Sequence, residues 1–380
     1  MAQTLNLPNR LGGGTHEHID LKVKMPDLPA IDWSTIGEKK PVWVTDQNWD
    51  PDNNSIDIDM VIITWTSAEW AAFDHVFCNS DKPMSHSYYD DDSWRREWKL
   101  YHTNWDKIKG ELPPDAPSLK DSAWGSCRIV EFPSNNKKAL LFKSAMHIST
   151  NGKDLPLRNM MEQLIEDFDP ALILTIGTSG GSRNQDDLGT TNITDTARFD
   201  LTGEFEPKHY PFNNKTFSNN WKPDTKLVES IKGFLMETPV TLSELELLRE
   251  KHPSKLTDPA TGAAYPLYRL INKEVQPGKI PPKINILSGI PVLTTNGYQV
   301  GNTSGNYNEY AAMEMDDAVI AMKSDEKNIP FGVVRNISDP VQNSDIDEKV
   351  QGNWGGIIYS EYGLYTSFNG ALAAWAAAAG

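Results

Sequence analysis

Asn308–Pro340, NEYAAMEMDDAVIAMKSDEKNIPFGVVRNISDP, decides how the rest of the chain is read. Its first half spaces Ala311, Met315, Ala318, Val319 and Met322 at three- and four-residue steps, which predicts an amphipathic helix bearing acidic residues. Ser324–Pro330 is charged and closes on proline, a turn. Phe331–Ile337 is mostly apolar, carries two valines and has the length of a buried strand. It runs into Ser338-Asp339-Pro340, a polar step at a strand's C-terminal end, where open α/β sheets bind ligands. Asp316 and Asp339 therefore fall at the ends of neighbouring elements. On spacing alone, the plainer reading comes first: Asp316 is a first-turn acid favoured by the helix dipole and Asp339 a turn residue before proline.

Working back toward the start, Met60–Thr64 is a short apolar strand, and Glu69 onward, with Trp70, Phe73, Val76 and Phe77, is a helical face. Ser67 is the expected N-cap between them. Arg128–Phe132 and Lys138–Ser144 read as a hairpin about Pro133–Asn136. Asp154–Phe168 is a helix with one stripe of Leu157, Met160, Met161, Leu164, Ile165 and Phe168, stopped by Pro170. Leu172–Ile176 is a buried strand feeding a loop at Gly177-Thr178-Ser179-Gly180-Gly181, whose glycines would let backbone amides approach a ligand. Thr190–Phe199 continues as strand. Helices are expected near Lys226–Met236 and Ser243–His252, short strands at Ile284–Leu287 and Pro291–Leu293, and a last helix over Ile357–Ala378. Alternating strand and helix patterns predict an α/β class. Trp94, Trp98, Tyr101 and Trp105 fit helical spacing and read as packing residues. Tyr298 and Tyr307, in a Gly/Asn-rich loop, read either as ordinary loop aromatics or as rings that stack on a ligand.

The totals narrow the classes. The 380 residues carry 36 basic and 52 acidic side chains, a net charge of −16, which argues against a nucleic-acid surface or an anionic membrane. The two cysteines, Cys78 and Cys127, exclude a disulfide framework and suit free thiols in a reducing, cytoplasmic compartment. Residues 1–30 show no apolar stretch of the signal-peptide kind, and no apolar run is long enough to span a bilayer. Residues 1–57 read as an irregular arm whose Trp33, Trp43 and Trp49 pack on the main domain or on a partner subunit. The main domain, 58–380, holds insertions at about 79–125 and 202–281. His16 and His18, tightly spaced in a glycine-flanked tail, read as solvated, so neither a metal nor a cofactor is expected.

Glu314-Met315-Asp316 with Arg335-Asn336-Ile337-Ser338-Asp339 resembles the paired signature of the nucleoside phosphorylase/nucleosidase superfamily. The Gly177–Gly181 run and the turn before Glu69 resemble two further signatures, so the likeness spans most of residues 59–375. It implies a three-layer α/β/α fold with a mixed central sheet, a small-molecule nucleoside or nucleotide as partner, and a homo-oligomer. It also implies roles. Cleaving a purine N-glycosidic bond needs an acid for the leaving base and a nucleophile for the sugar. By resemblance Asp339 would donate to purine N7, oriented by Ser338, and would have to hold a proton near neutral pH. Glu69 would activate water. Asp316, or Glu314 in its place, would accept the ribose hydroxyls, and Met315 would pack on the sugar. Ser179 and Gly180 would line base and sugar. The chain departs from the pattern at Asp316, where the family usually has glutamate; Asp is shorter by roughly 1.5 Å. Two phosphate-binding positions of phosphorylases are also unfilled: no Arg or Lys lies between Thr64 and Ser80, and Thr175 stands where an arginine is usual. These features favour hydrolysis. A phosphorylase using Arg183, Arg198 or a neighbouring subunit, and a non-catalytic binding or storage protein, remain as alternatives.

Overall fold

A computed structural model describes residues 27–44, 48–85, 93–107, 109–111, 122–148, 156–183, 186, 188–200, 212–236, 242–270, 284–295, 307–339, 343 and 345–380. Among these, thirteen strands form one branched sheet. Its centre is three parallel strands: β2 (Met60–Thr64), β6 (Leu172–Gly181) and β13 (Phe331–Asp339), with β6 in the middle. On the β2 side follow β5 (Lys137–Ser144), parallel to β2, then β4 (Gly125–Phe132), antiparallel to β5. Two short strands, β1 (Val42–Trp43) and β3 (Lys99–Tyr101), pair with β4 at the edge. On the β13 side follow β7 (Thr191–Thr194), antiparallel, and β10 (Ile286–Ser288). The last residues of β6 turn onto a second branch, β12 (Ala312–Glu314), β11 (Val292–Thr294), β8 (Thr196–Phe199) and β9 (Thr216–Ser218).

Strand side chains alternate between faces, and the core follows that alternation. Met60, Ile62, Leu174, Ile176 and Val334 face one apolar layer with α1 (Ser67–Cys78) and α7 (Glu348–Ala379). Val61, Ile63, Ile173 and Val333 face the other, with α2 (Pro156–Phe168) and α6 (Asp317–Glu326). The shorter helices α3 (Thr225–Ser230), α4 (Leu242–Lys251) and α5 (Leu267–Leu270) lie on the α7 side, where Ile231, Leu245, Leu248 and Leu270 join its core. The mixed sheet between helical layers is the architecture expected. Ala371–Ala379 of α7 is buried throughout, its alanines letting neighbouring elements approach around Leu372 and Trp375. Trp33 stacks 4.3 Å from Trp375 and donates its indole N–H to Ser80, so the segment before β1 is sewn onto that layer.

Several local readings change. Ala311–Glu314 is not helical. Ala312 and Met313 pair with Gly181 and Gly180, and β11 pairs on the other side, so ladder pairing overrides the helical spacing. The helix begins only at Asp317 and ends at Glu326, inside the expected turn, which the chain completes from Lys327 to Pro330. Gly177–Gly181 is likewise strand rather than loop, because both branches of the sheet share it. β13 extends to Asp339, with a bulge after Ile337. Trp94–Trp105 forms no helix. Ser93–Glu97 and Trp105–Lys107 are single 3-10 turns around β3, since the rings anchor apart: Trp94 and Trp98 on Trp70, Trp105 on Trp124. Thr190–Phe199 breaks at Asp195 into β7 and β8, and α7 starts nine residues earlier than expected, at Glu348.

Candidate functional site

Strands β6 and β13 run on past the end of β2, to Gly181 and Asp339, and the polar groups of the sequence motifs collect at that edge. After β2 the chain turns through Trp65 and Thr66 into α1. Thr66, not Ser67, is the N-cap: its hydroxyl accepts from the Glu69 amide, while the Glu69 carboxylate accepts from the Thr66 amide at 2.8 Å. Glu69 does more than cap. Its Oε2 also accepts from the Trp65 amide at 3.0 Å and the Thr64 hydroxyl at 3.1 Å. Its Oε1 accepts from the amide and hydroxyl of Thr178 on β6, at 2.7 and 2.6 Å. The carboxylate is buried, which by itself would favour protonation. The positive charge of Arg335 and the Thr178 bonds outweigh that and hold its pKa below the ordinary value. Glu69 is therefore an ionised group ringed by donors.

Arg335 projects from β13 into the same knot. Its Nε and Nη2 grip both oxygens of Asp317 at 2.7 Å, Nη2 reaches Glu314 at 3.3 Å, and Nη1 donates to the Thr178 carbonyl at 3.2 Å. Burial opposes the cation, but Asp317, Glu314 and Glu69 raise its pKa further above the usual range. Gly177 is obligatory beside it, because a Cβ there would collide with the guanidinium. Glu314, at the end of β12, accepts from the amides of Asp316 and Asp317, from Arg335 and from the Thr294 hydroxyl. Burial first, then the charge of Asp317, push its pKa up to about 8.

Asp316 stands at the N-cap position of α6 without making a cap bond. It turns instead to the segment after β5: Oδ2 lies 2.9 Å from His147 Nδ1, and Oδ1 accepts from the Ile148 amide at 3.0 Å. Trp65 lies between the two groups, its ring 6.5 Å from that of His147 and 5.0 Å from the Arg335 guanidinium carbon. At the end of β13, the Ser338 hydroxyl lies 2.7 Å from Asp339 Oδ1 and 3.3 Å from the Ser179 carbonyl. The Ser179 hydroxyl donates to the Asn336 carbonyl. In the β6–β13 register Thr178 faces Asn336 and Gly180 faces Asp339. Glu69, on Thr178, is thus displaced from Asp339 by two residue steps, roughly 7 Å along the strand.

The structure brings Glu69, Ser179, Gly180, Glu314, Asp316, Ser338 and Asp339 to one end of the sheet. Met315 is half-buried against the α2–α6 core. Tyr307 sits in a turn tied down where Ser182 donates to the Tyr310 carbonyl. Tyr298, His16 and His18 lie outside the described residues. Sequence reasoning gave no role to Thr178, Arg335, Asp317, Thr294 or His147. A signal existed for Arg335, since a charge inside an otherwise apolar strand must be paired when buried. Nothing in the sequence pointed to His147, whose partner lies 169 positions away.

Two arginines named as phosphate ligands have other attachments. Arg183 grips both oxygens of Asp186, and Arg198 donates to the Thr216 hydroxyl on the exposed side. Among the described residues, no cluster of three or more histidine, cysteine or acidic side chains is arranged to hold a metal, and no helix is long and apolar enough to cross a membrane.

The sequence matches no protein-family model, and comparison with curated proteins finds no match. Solved structures are similar over most of the chain. A 5′-methylthioadenosine/S-adenosylhomocysteine nucleosidase from Neisseria meningitidis, in complex with methylthio-immucillin-A, is 14% identical, with 85% of this chain and 99% of that one covered at a TM-score of 0.44. The corresponding nucleosidase from Helicobacter pylori is 11% identical (84% and 96% covered, TM-score 0.42). Futalosine hydrolase of Helicobacter pylori is 10% identical (82% and 97% covered, TM-score 0.38).

Proposed function

We propose that the protein is a purine nucleosidase, which hydrolyses the N-glycosidic bond of a purine nucleoside or related nucleotide to free base and sugar. What supports this reading is that Glu69, bonded to Thr178, and the Ser338–Asp339 pair lie at the same end of the sheet, two residue steps apart in the β6 register. Asp339, with Ser338 bonded to one of its oxygens, faces the departing base and donates to its N7. Glu69 is the anion on the sugar side. Its link to the Thr178 hydroxyl is the contact a water molecule can replace, because the other four donors belong to the backbone or to the strand beneath. A water held there gives its proton toward Glu69 as its oxygen attacks the anomeric carbon. Asp316 accepts sugar hydroxyls.

Phosphorolysis is disfavoured by charge. Arg335 is committed to Asp317, Glu314 and the Thr178 carbonyl, Arg183 is committed to Asp186, and a phosphate dianion would meet the carboxylates of Glu69 and Asp316. One observation favours a second reading, a nucleoside-binding protein without turnover: all five Glu69 contacts are already satisfied within the chain. Both are tested by incubating the protein with adenosine, 5′-methylthioadenosine, S-adenosylhomocysteine and ATP in phosphate-free buffer. Free base from at least one substrate, at a rate unchanged by added phosphate, is expected. A strict need for phosphate would replace hydrolysis by phosphorolysis, and binding without release would leave the non-catalytic reading.

A further inference from the structure

Asp316 occupies a position where its side chain would ordinarily cap a helix, and it does not. The amides at the start of α6 are served by others: those of Asp316 and Asp317 by Glu314, that of Ala318 by the Thr294 hydroxyl. Released from capping, Asp316 crosses to the segment after β5 and is fixed at both oxygens, by His147 Nδ1 and by the Ile148 amide. Two donors leave about two of the roughly four acceptor sites of an ionised carboxylate. Trp65 touches the pair on one side and Arg335 on the other, so the pair shares a wall with the Glu69 anion.

We propose that His147 and Asp316 act as one unit that recognises the pentose, with His147 as the positioning residue. The Nδ1–H of His147 and the amide of Ile148 lock the rotation of the Asp316 carboxylate, so its remaining acceptor sites meet the vicinal 2′ and 3′ hydroxyls of a ribosyl group without further ordering. The unit therefore selects ribonucleosides over deoxyribonucleosides. This inference rests on the proposed nucleosidase reading, and its test separates the two.

The test measures binding and turnover of adenosine and 2′-deoxyadenosine by the wild-type chain, His147→Ala and His147→Gln. Wild type is expected to prefer adenosine by tenfold or more. His147→Ala should lose most of that preference, chiefly through a rise of about tenfold in KM for adenosine that exceeds both the change in kcat and the rise in KM for 2′-deoxyadenosine. His147→Gln, which can still donate to Asp316, should restore part of the discrimination. Equilibrium binding by calorimetry reports the same ratio where turnover is slow. Equal losses for both nucleosides, or an unchanged ratio, would overturn the pairing of His147 with sugar recognition while leaving the nucleosidase reading in place. A wild-type chain that binds neither nucleoside would overturn this inference, and the nucleosidase reading falls with it only if none of the four substrates named above releases its base.

Discussion

Glu314 shows how a single residue couples fold and site. Its carboxyl is buried next to Asp317 and held with a pKa of about 8, against 4.5 for the free side chain. The native state keeps this proton where the unfolded chain has released it. The stabilisation is fully present below pH 4.5 and is lost as pH rises through about 8, at a slope of up to about 1.4 kcal/mol per pH unit for one proton. Burial pushes Glu361 to about 7 and Asp74 to about 6, adding slopes of the same sign at lower pH. Glu314→Gln mimics the protonated side chain, with its amide nitrogen toward Thr294 and its carbonyl toward the α6 amides. Thermal unfolding between pH 6 and 9 should show the wild type losing stability faster than the variant. Parallel curves would mean that Glu314 is ionised in the fold. At this scale the sequence was partly readable: Asp316 and Asp339 fall at the ends of expected elements, while Glu69 and Glu314 stood out only through the resemblance. Their neutralisation by Arg335, Thr178 and His147 was not readable, because those contacts join residues 109 or more positions apart or depend on which strands become neighbours.

At the scale of elements, α1 depends on its first turn. Thr66 and Glu69 satisfy each other's amides, and Tyr359 of α7 donates to the Thr66 hydroxyl at 2.9 Å. Thr66→Ala removes the acceptor for the Glu69 amide and the partner of Tyr359. A loss of about 1–2 kcal/mol in denaturant unfolding is expected; no loss would mean that α1 is held by packing alone. Elements with strong periodicity, such as α2 and β2, were readable directly, since burial on one stripe or on both faces leaves its mark in the sequence. β12 was not. Three residues are too few for a strand pattern, and Ala311 and Met315 on either side happen to fit helical spacing. The glycines of β6 read as a loop for a related reason: glycine signals backbone freedom or close approach, and here the close approach of Arg335 to Gly177 was the cause.

At the scale of the molecule, the alternation of strand and helix patterns led to the α/β class, the resemblance implied the mixed sheet between two helical layers, and the cores on either face follow from strand periodicity. The branching of the sheet did not follow, because it requires β6 to serve two sets of partners in succession. That branching brings β12, and with it Glu314 and Asp316, to the edge where β6 and β13 end, and the account of function depends on it. The most direct measurement is a crystal structure with a C-nucleoside analogue of adenosine, whose base cannot be released. The account predicts Asp339 within hydrogen-bond distance of the N7 edge of the purine, Asp316 on the 2′ and 3′ hydroxyls, and a water between Glu69 and the anomeric carbon. An analogue bound elsewhere, or a sugar with Asp339 and Glu69 on the same side of it, would contradict the account.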